Sequence, residues 1–391
     1  MAPALTKSEE PSKLKPTFIL QRATWRPPIA VSGEGIYIEL EDGRRVIDAV
    51  GGAAVACIGN GHPAVKKAIK EQVDKLSYVY NMQLSNQPAE ELANYLVNSG
   101  NGAFALCGFV SGGSEAMEAI IKLSRQYFYD TKQFQRVNYI GQTVVGATTG
   151  VVAPPKGYFK AMKSVCDKYG ALFILDEIMS GMGRLGTLHA WEQFADGIAP
   201  DLQAIAKGLG GGYASIGAIL ISQRIADGIR DTSGFWKHGH TYQAHPIATA
   251  ASLAVQKVIT EENLLSNIRT QGALLGSLLN ARLLSPNSPL APYVFDIRGT
   301  AGWWAVEFDF DDIANKPAVD LKGDSFAILV QQRCLENGLA IMGFRGGANV
   351  EGTRGDHVMF SPAYNVKEEE IEKIVDLFIE GAEEVYREIA V

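Results

Sequence analysis

Clustered positive charge is missing from this chain of 391 residues: its net charge is −7, and no basic run interleaved with aromatics offsets that balance. Nucleic-acid binding rests on such clusters, so that class of function is excluded. Cysteine is scarce as well. Cys57, Cys107, Cys166 and Cys334 are scattered without a CxxC pair. That spacing excludes a disulfide framework or a zinc knuckle and predicts buried thiols in a reducing compartment. No apolar run reaches the ~20 residues that a membrane helix needs. The segment from Met1 to Phe18 mixes Lys7, Lys13 and Lys15 with Glu9 and Glu10 and has no apolar core. A secretory signal needs that core, and a mitochondrial leader is poor in acids. Internal repeats and low-complexity tracts are absent too. These gaps predict a cytoplasmic protein with no membrane and no nucleic-acid partner.

What is present is ordinary globular composition, 47% hydrophobic and 20% charged, at a length that divides into a large and a smaller domain. Residues 1 to about 30 are rich in Pro and Lys and read as an extended arm. Two β-rich runs, Gly35 to Leu40 and Arg45 to Ile47, flank Asp42-Gly43, a pair that accepts positive φ and signals a hairpin. From about residue 62, short apolar runs alternate with helical patterns. Phe104 to Val110, Ala171 to Leu175, Leu202 to Ala206 and Ile216 to Ile221 predict strands of a parallel sheet covered on both faces. Beyond about residue 290, Trp303 to Phe308 and Val358 to Phe360 read as strands. The stretch Lys367 to Ile389 reads as a closing helix with Ile371, Ile374, Val375, Phe378 and Ala382 on one face. The expected division is an arm and part of a small domain at 1–60, a large α/β domain at 61–288, and the rest of the small domain at 289–391.

Three segments carry chemistry. Ser111-Gly112-Gly113-Ser114-Glu115-Ala116 follows a strand and opens a helix striped with Ala116, Ala119, Ile120, Leu123 and Tyr127. Free N–H groups and the positive dipole end there suit a phosphate. A tight turn capped by Ser114 explains the same residues. In Leu172-Phe173-Ile174-Leu175-Asp176-Glu177 an acid stands at the carboxyl end of a buried strand, where open α/β folds bind ligands. In Leu202-Gln203-Ala204-Ile205-Ala206-Lys207-Gly208 a lysine ends an apolar strand and enters a glycine run. Desolvation there lowers an amine's pKa and frees it to attack a carbonyl; a snorkelling surface lysine is the commoner alternative. Together the three fit pyridoxal 5'-phosphate, with the phosphate on Gly113 and Ser114, Asp176 keeping the pyridine nitrogen protonated, and Lys207 condensed with the aldehyde.

The same segments, VSGGSEAMEAIIKLSR, LFILDEIMSGMGRLG and PDLQAIAKGLGGGYASIGAILIS, resemble motifs of the class III pyridoxal-phosphate-dependent aminotransferases, in the family's order. GEGIYIELEDGRRVIDAVGG, GNGHPAVKKAIKEQ and GDHVMFSPAYNVKEEEIEKIV extend the resemblance over about residues 30 to 390. It implies a fold-type-I architecture, a mostly parallel-sheet domain with a smaller α+β domain from both termini. The implied reaction is ping-pong transamination between an amino donor and a keto acid or aldehyde, with Lys207 as general base. It further implies a homodimer in which Thr241, within KHGHTYQAHP, reaches the partner's phosphate site. The histidines of that segment, His238, His240 and His245, lack a carboxylate or Cys at ligand spacing, so no metal is expected. Arg354 stands near where the family often places a substrate-carboxylate arginine, and Tyr80 is a candidate for the substrate pocket.

One stretch departs from the pattern. Between the cradle helix and the Asp176 strand the family has further strands and helix, with an aromatic-His-Gly turn that stacks on the cofactor and then a Glu-Pro pair. Here Tyr139-Ile140-Gly141 runs straight into Gln142-Thr143-Val144. At least one βαβ-sized piece, ~30 residues, is expected to be missing, and the join resembles an excision. The rival readings are other pyridoxal-phosphate chemistry on this fold (decarboxylase, aminomutase or racemase) and a shortened variant that only folds and dimerises.

Overall fold

Asp42-Gly43 turns the chain as its residue types require: Gly43 adopts φ 87°, and the Asp42 carboxylate accepts the Arg44 N–H at 3.0 Å. The computed structural model describes residues 18–20, 22, 25–136, 139–143, 145–194, 197–310, 317–346, 348–349 and 354–391. Strands β1 (Ala30–Glu34), β2 (Tyr37–Leu40) and β3 (Arg45–Asp48) form an antiparallel meander. The segment read as an arm therefore gives way to a strand from Ala30.

The large sheet holds β4 (Leu106–Val110), β5 (Tyr139–Thr143), β6 (Leu172–Asp176), β7 (Leu202–Ile205) and β8 (Gly217–Ile221), in the order β4-β8-β7-β6-β5. β5, β6 and β7 are parallel, whereas β8 runs antiparallel to both β7 and β4. Four of the five strands run the same way, so the sheet is mostly parallel, as the resemblance implies, with β8 the reversed strand. A parallel return needs a crossover of a dozen or more residues, usually helical. The link from β7 to β8 is shorter, holds no α-helix, and folds back beside its own strand.

Alternation along the strands covers both faces. Leu172, Ile174, Leu202, Ala204 and Ile219 pack against Ala116, Ile120 and Leu123 of helix Gly113–Asp130 and Ile225 of helix Gln223–Arg230. Phe173, Leu175, Ile205 and Leu220 face the other way, onto Phe159 and Cys166 of helix Tyr158–Tyr169 and Leu92 and Leu96 of helix Gln87–Ser99. Phe173 is fully buried, so truncating it to alanine would remove about 3–5 kcal/mol.

The C-terminal region adds β9 (Val294–Thr300), β10 (Trp303–Phe308), β11 (Leu339–Ala340), β12 (Met342–Phe344) and β13 (Asp356–Phe360). Four of these make the sheet β12-β13-β10-β9, while β11 joins β3 in parallel, so both ends of the chain share a sheet. The closing helix, Glu368–Ile389, starts where Glu370 accepts the Lys367 N–H at 2.9 Å, and it places three glutamates in its first turn. Negative charge there complements the helix dipole. All five residues expected on its inner face are buried. Among the described residues no helix is long and apolar enough to cross a membrane.

Candidate active site

The helix Gly113–Asp130 begins without a side-chain cap: Gly112 occupies the N-cap in an extended conformation, and Ser114 lies inside the first turn rather than capping it. Glu115 folds back to accept the Ser111 N–H at 2.7 Å. The N–H groups of Gly113, Ser114 and Glu115 find no acceptor among the described residues. Three free donors at a helix start form an anion cradle. Glycine is required at 113, because a Cβ there would stand 2.8 Å from the Ile178 side chain. That contact also ties the cradle to the turn after β6, where Asp176 accepts the Ile178 N–H at 3.0 Å.

Asp176 ends β6 half-buried, and burial raises its carboxyl above the ordinary range, opposed by the Ile178 N–H and by the charge of Lys207. Lys207 follows β7 with its side chain half-buried, and its amine has no hydrogen-bond or ion-pair partner among the described residues. Burial lowers its pKa, Asp176 pulls it back up, and the Arg184 guanidinium adds to the depression. The lysine and the acid thus act on each other across the carboxyl end of the sheet. Lys207 carries φ 42°, a left-handed conformation that a non-glycine residue adopts only when its surroundings hold it there. Gly210 and Gly211 donate to its carbonyl at 3.1 and 3.0 Å. The buried Gln256 donates from Nε2 to the carbonyls of Gly208 and Leu209, both at 3.0 Å, and the Cys57 thiol approaches Gly208 O at 3.4 Å. Neither Gln256 nor Cys57 carries a signal in the sequence; each reaches the turn from a distant helix or loop.

Beneath the site lies a buried polar network that sequence reasoning also missed. Glu177 is fully buried and accepts N–H bonds from Ala190, Trp191 and Gln203, each at 2.7 Å, while burial pushes its carboxyl up to about 8. His189 spans Ser99 and Gln203 at 2.9 and 3.1 Å, and burial lowers it to about 4.

The remaining predicted residues lie further out. Thr241 is exposed, and its carbonyl accepts the Tyr78 hydroxyl at 2.8 Å. Its neighbour His240 lies 3.4 Å from Glu115 in the cradle's first turn, a carboxylate that spacing in the sequence does not reveal. Even so, among the described residues no group of three or more ligating side chains forms a metal site. Tyr80 is exposed, with its hydroxyl on Met82 Sδ at 2.9 Å. Arg354 is exposed in the loop before β13, and its N–H donates to Asn349 at 3.0 Å. Among the described residues no hydrogen bond or ion pair joins Tyr80 or Arg354 to Lys207. Gly355, next to Arg354, lines a cleft of about 780 Å³ between residues 145–158 and Arg298, Glu307 and His357. This cleft opens directly after β5, and Lys207 and Asp176 do not line it. A smaller cavity of about 330 Å³ touches the cradle at Ser111, between Ser215 and Tyr242.

Fold and site define an α/β protein built around a half-buried lysine, a strand-end acid and an anion cradle. The chain belongs to the class III aminotransferases, the family whose pattern it matches over residues 22–143 and 140–381, and these are pyridoxal-phosphate-dependent enzymes. An aminotransferase of Gibberella zeae is 35% identical over 431 positions, covering 89% of this chain and 82% of that protein. An uncharacterised aminotransferase of Schizosaccharomyces pombe is 34% identical, covering 95% and 96%. Among solved structures, an omega transaminase of Pseudomonas jessenii in complex with PMP has a TM-score of 0.80 at 25% identity, covering 93% of this chain and 94% of its own. A transaminase from directed evolution by ancestral reconstruction has a TM-score of 0.82 at 26% identity, covering 93% of each chain. The family match breaks in two at residues 140–143, as the expected excision requires. In the Gibberella alignment, 89% of this chain is about 348 residues spread over 431 positions, so about 80 positions fall opposite a gap. That total leaves room for the expected missing piece of at least one βαβ unit.

Proposed function

We propose that this chain binds pyridoxal 5'-phosphate at Lys207 and carries out two-stage transamination of small amines and carbonyl compounds. The observation that carries the reading is the unpartnered, half-buried Lys207 amine acting on Asp176, with the donors of the Gly113 cradle free beside that acid. These residues fit the group: Gly113 and Ser114 would hold its phosphate, Asp176 its ring nitrogen and Lys207 its aldehyde carbon. When bound, pyridoxal phosphate supplies a carbonyl for amine exchange and a ring that withdraws electrons.

The protein's own contributions follow from the geometry. A lowered pKa leaves a larger share of the free Lys207 amine uncharged, the form that can attack a carbonyl or, once displaced from it by a donor amine, accept a proton as general base. Asp176 would hold a proton on the ring nitrogen; burial raises its carboxyl, and the Ile178 N–H and Lys207 oppose that effect. The turn at Gln256 holds the amine over the end of the sheet. Arg354 and Tyr80 are proposed to meet the substrate, and residues 1–60 with 289–391 to form a small domain against 61–288.

A homodimer is supported by exposed apolar side chains in the two segments that meet where the Tyr78 hydroxyl reaches the Thr241 carbonyl. Tyr80, Met82, Leu84 and Tyr242 are all exposed, and the Tyr78 and Tyr242 rings lie 6.0 Å apart. In a symmetric pair, exposed Thr241 would reach the partner's cradle. We place the protein in the cytoplasm. The break in the family match at residues 140–143 favours a second reading, in which the chain captures cofactor but turns over slowly.

Borohydride reduction with peptide mapping tests the assignment. The reduced cofactor should be fixed to Lys207, with the visible band lost in K207A. Label mainly on another lysine ends the assignment, and turnover measured on the same sample separates the two readings.

A further inference from the structure

Arg184 is a buried cation without a counter-ion among the described residues. Its side chain is fully buried, and no carboxylate among the described residues forms an ion pair with it. Nη1 donates to the carbonyls of Gly302 and Pro362 at 3.0 and 2.6 Å. Nε and Nη2, the edge that grips a carboxylate through two parallel bonds, are buried with no acceptor. Asp48, whose carboxyl feels this charge, is already engaged by the N–H groups of Val50, Gly51 and Gly52. A lone buried charge is strongly unfavourable. A residue with only a packing role in this place would be better served by an apolar side chain.

The surroundings lead to the lysine. The Arg184 guanidinium lies 4.7 Å from the ring centre of Tyr364. Gly183, at φ 100°, permits this packing, since a Cβ there would come within 2.8 Å of the same ring. The fully buried Tyr364 donates its hydroxyl to Met182 O at 3.1 Å, and that hydroxyl stands 3.5 Å from where a Cβ on Gly208 would lie. Gly208 is the residue after Lys207, so the stack of Arg184 on Tyr364 lies alongside the turn that carries the amine.

We propose that Arg184 is a positioning residue for Lys207: through Tyr364 it braces the Lys207–Gly208 turn, and its unneutralised charge opposes a second positive charge on the lysine amine. The groups facing Lys207 bear this out. Burial disfavours the charged amine most, Asp176 on β6 favours it, and the Arg184 charge adds to the effect of burial. The Cys57 thiol and the Tyr364 hydroxyl, both at Gly208, are pushed up by burial and stay uncharged at neutral pH. Arg184 thus adds to burial in opposing Asp176, and an acid can serve the ring nitrogen without locking the lysine in its ammonium form.

The inference rests on Lys207 being the cofactor lysine, and its test reads the amine directly. In cofactor-free full-length protein, competitive labelling with fluorodinitrobenzene across pH, resolved by peptide mapping, reports how readily each lysine reacts. R184M should label Lys207 roughly ten-fold more slowly at neutral pH, with its midpoint moved to higher pH, while surface lysines stay unchanged. R184K keeps the charge and should stay within about two-fold of the parent. A folded R184M that labels Lys207 at the parental rate would overturn the proposal. So would equal losses in R184M and R184K, or failure of both to fold, since each would leave Arg184 a purely structural role. Failure of the underlying reading shows separately, as borohydride fixation at another lysine in the parent protein.

Discussion

Replacing Gln256 with leucine isolates the support beneath the strained turn at Lys207. A non-glycine residue at φ 42° is held ~1–3 kcal/mol above its relaxed state, so something must hold it. Leucine is close enough to glutamine in size that no large cavity opens, and the loss falls on hydrogen bonding. Gln256 Nε2 serves both Gly208 O and Leu209 O. A buried carbonyl stripped of its donor loses ~1–3 kcal/mol. Gly208 O retains only the weak Cys57 thiol at 3.4 Å. Against this, leucine eliminates Gln256 Oε1, itself a buried acceptor without a partner, which returns about 1 kcal/mol. The net loss should be about 1–3 kcal/mol, read as a lower urea midpoint by circular dichroism. The yield of borohydride-fixed cofactor at Lys207 should fall with it. If Q256L kept both the parental midpoint and the parental labelling, the turn would hold its conformation without Gln256 and the reasoning would fail.

Three other outcomes are expected. D176N should reduce turnover by roughly a hundred-fold or more while retaining most of the cofactor, because the ring-nitrogen contact matters more to reaction than to binding; unchanged turnover contradicts that role. His189 is lowered to about 4 in the folded state, so below an unfolded value near 6.5 the unfolded chain binds the additional proton. Its contribution to stability is therefore present above that pH and lost as the pH falls toward 4; H189Q should flatten this acid limb in urea titrations, and an identical limb would count against it. Inserting the relatives' segment between Gly141 and Val144 should raise both solubility and turnover, since β5 has no neighbour on its outer side among the described residues and open edges promote association. Ordinary aminotransferase turnover and solubility in the present chain would show that the gap matters little.

Much of the fold could be read from periodicity. Helix Gly113–Asp130 buries its predicted stripe, and helix Glu368–Ile389 does the same, because in both a single apolar face is set by local spacing. The antiparallel turn of β8 was missed, since a run of apolar residues gives no strand direction. Lys207 and Asp176 were legible as strand-end residues, but the left-handed backbone at Lys207 was not: nothing in AKGLGGG marks the lysine, rather than a glycine, as the strained position. Arg184 was invisible for a different reason. Arginine in a loop is ordinarily exposed, and its burial is decided by carbonyls at Gly302 and Pro362, far away in sequence. Tyr80 and Arg354 came from resemblance alone, and local pattern gave no reason to place either beside the lysine.

The strand β5 is a seam. The two stretches of family likeness overlap within it, yet its backbone keeps an unbroken ladder with β6 from Tyr139 opposite Leu172 to Thr143 opposite Asp176. Ladder pairing involves only main-chain atoms and is blind to which side chains were brought together. A deletion that leaves in place a stub of the right length and direction can therefore be sealed by the sheet itself. The narrowing happens at the rim, while β6 and β7, the strands that end in Asp176 and lead to Lys207, keep a neighbour on each side. A doubly wound sheet can in this way shed peripheral strands and still keep its central strand ends in place, and Asp176 and Lys207 both stand at such ends.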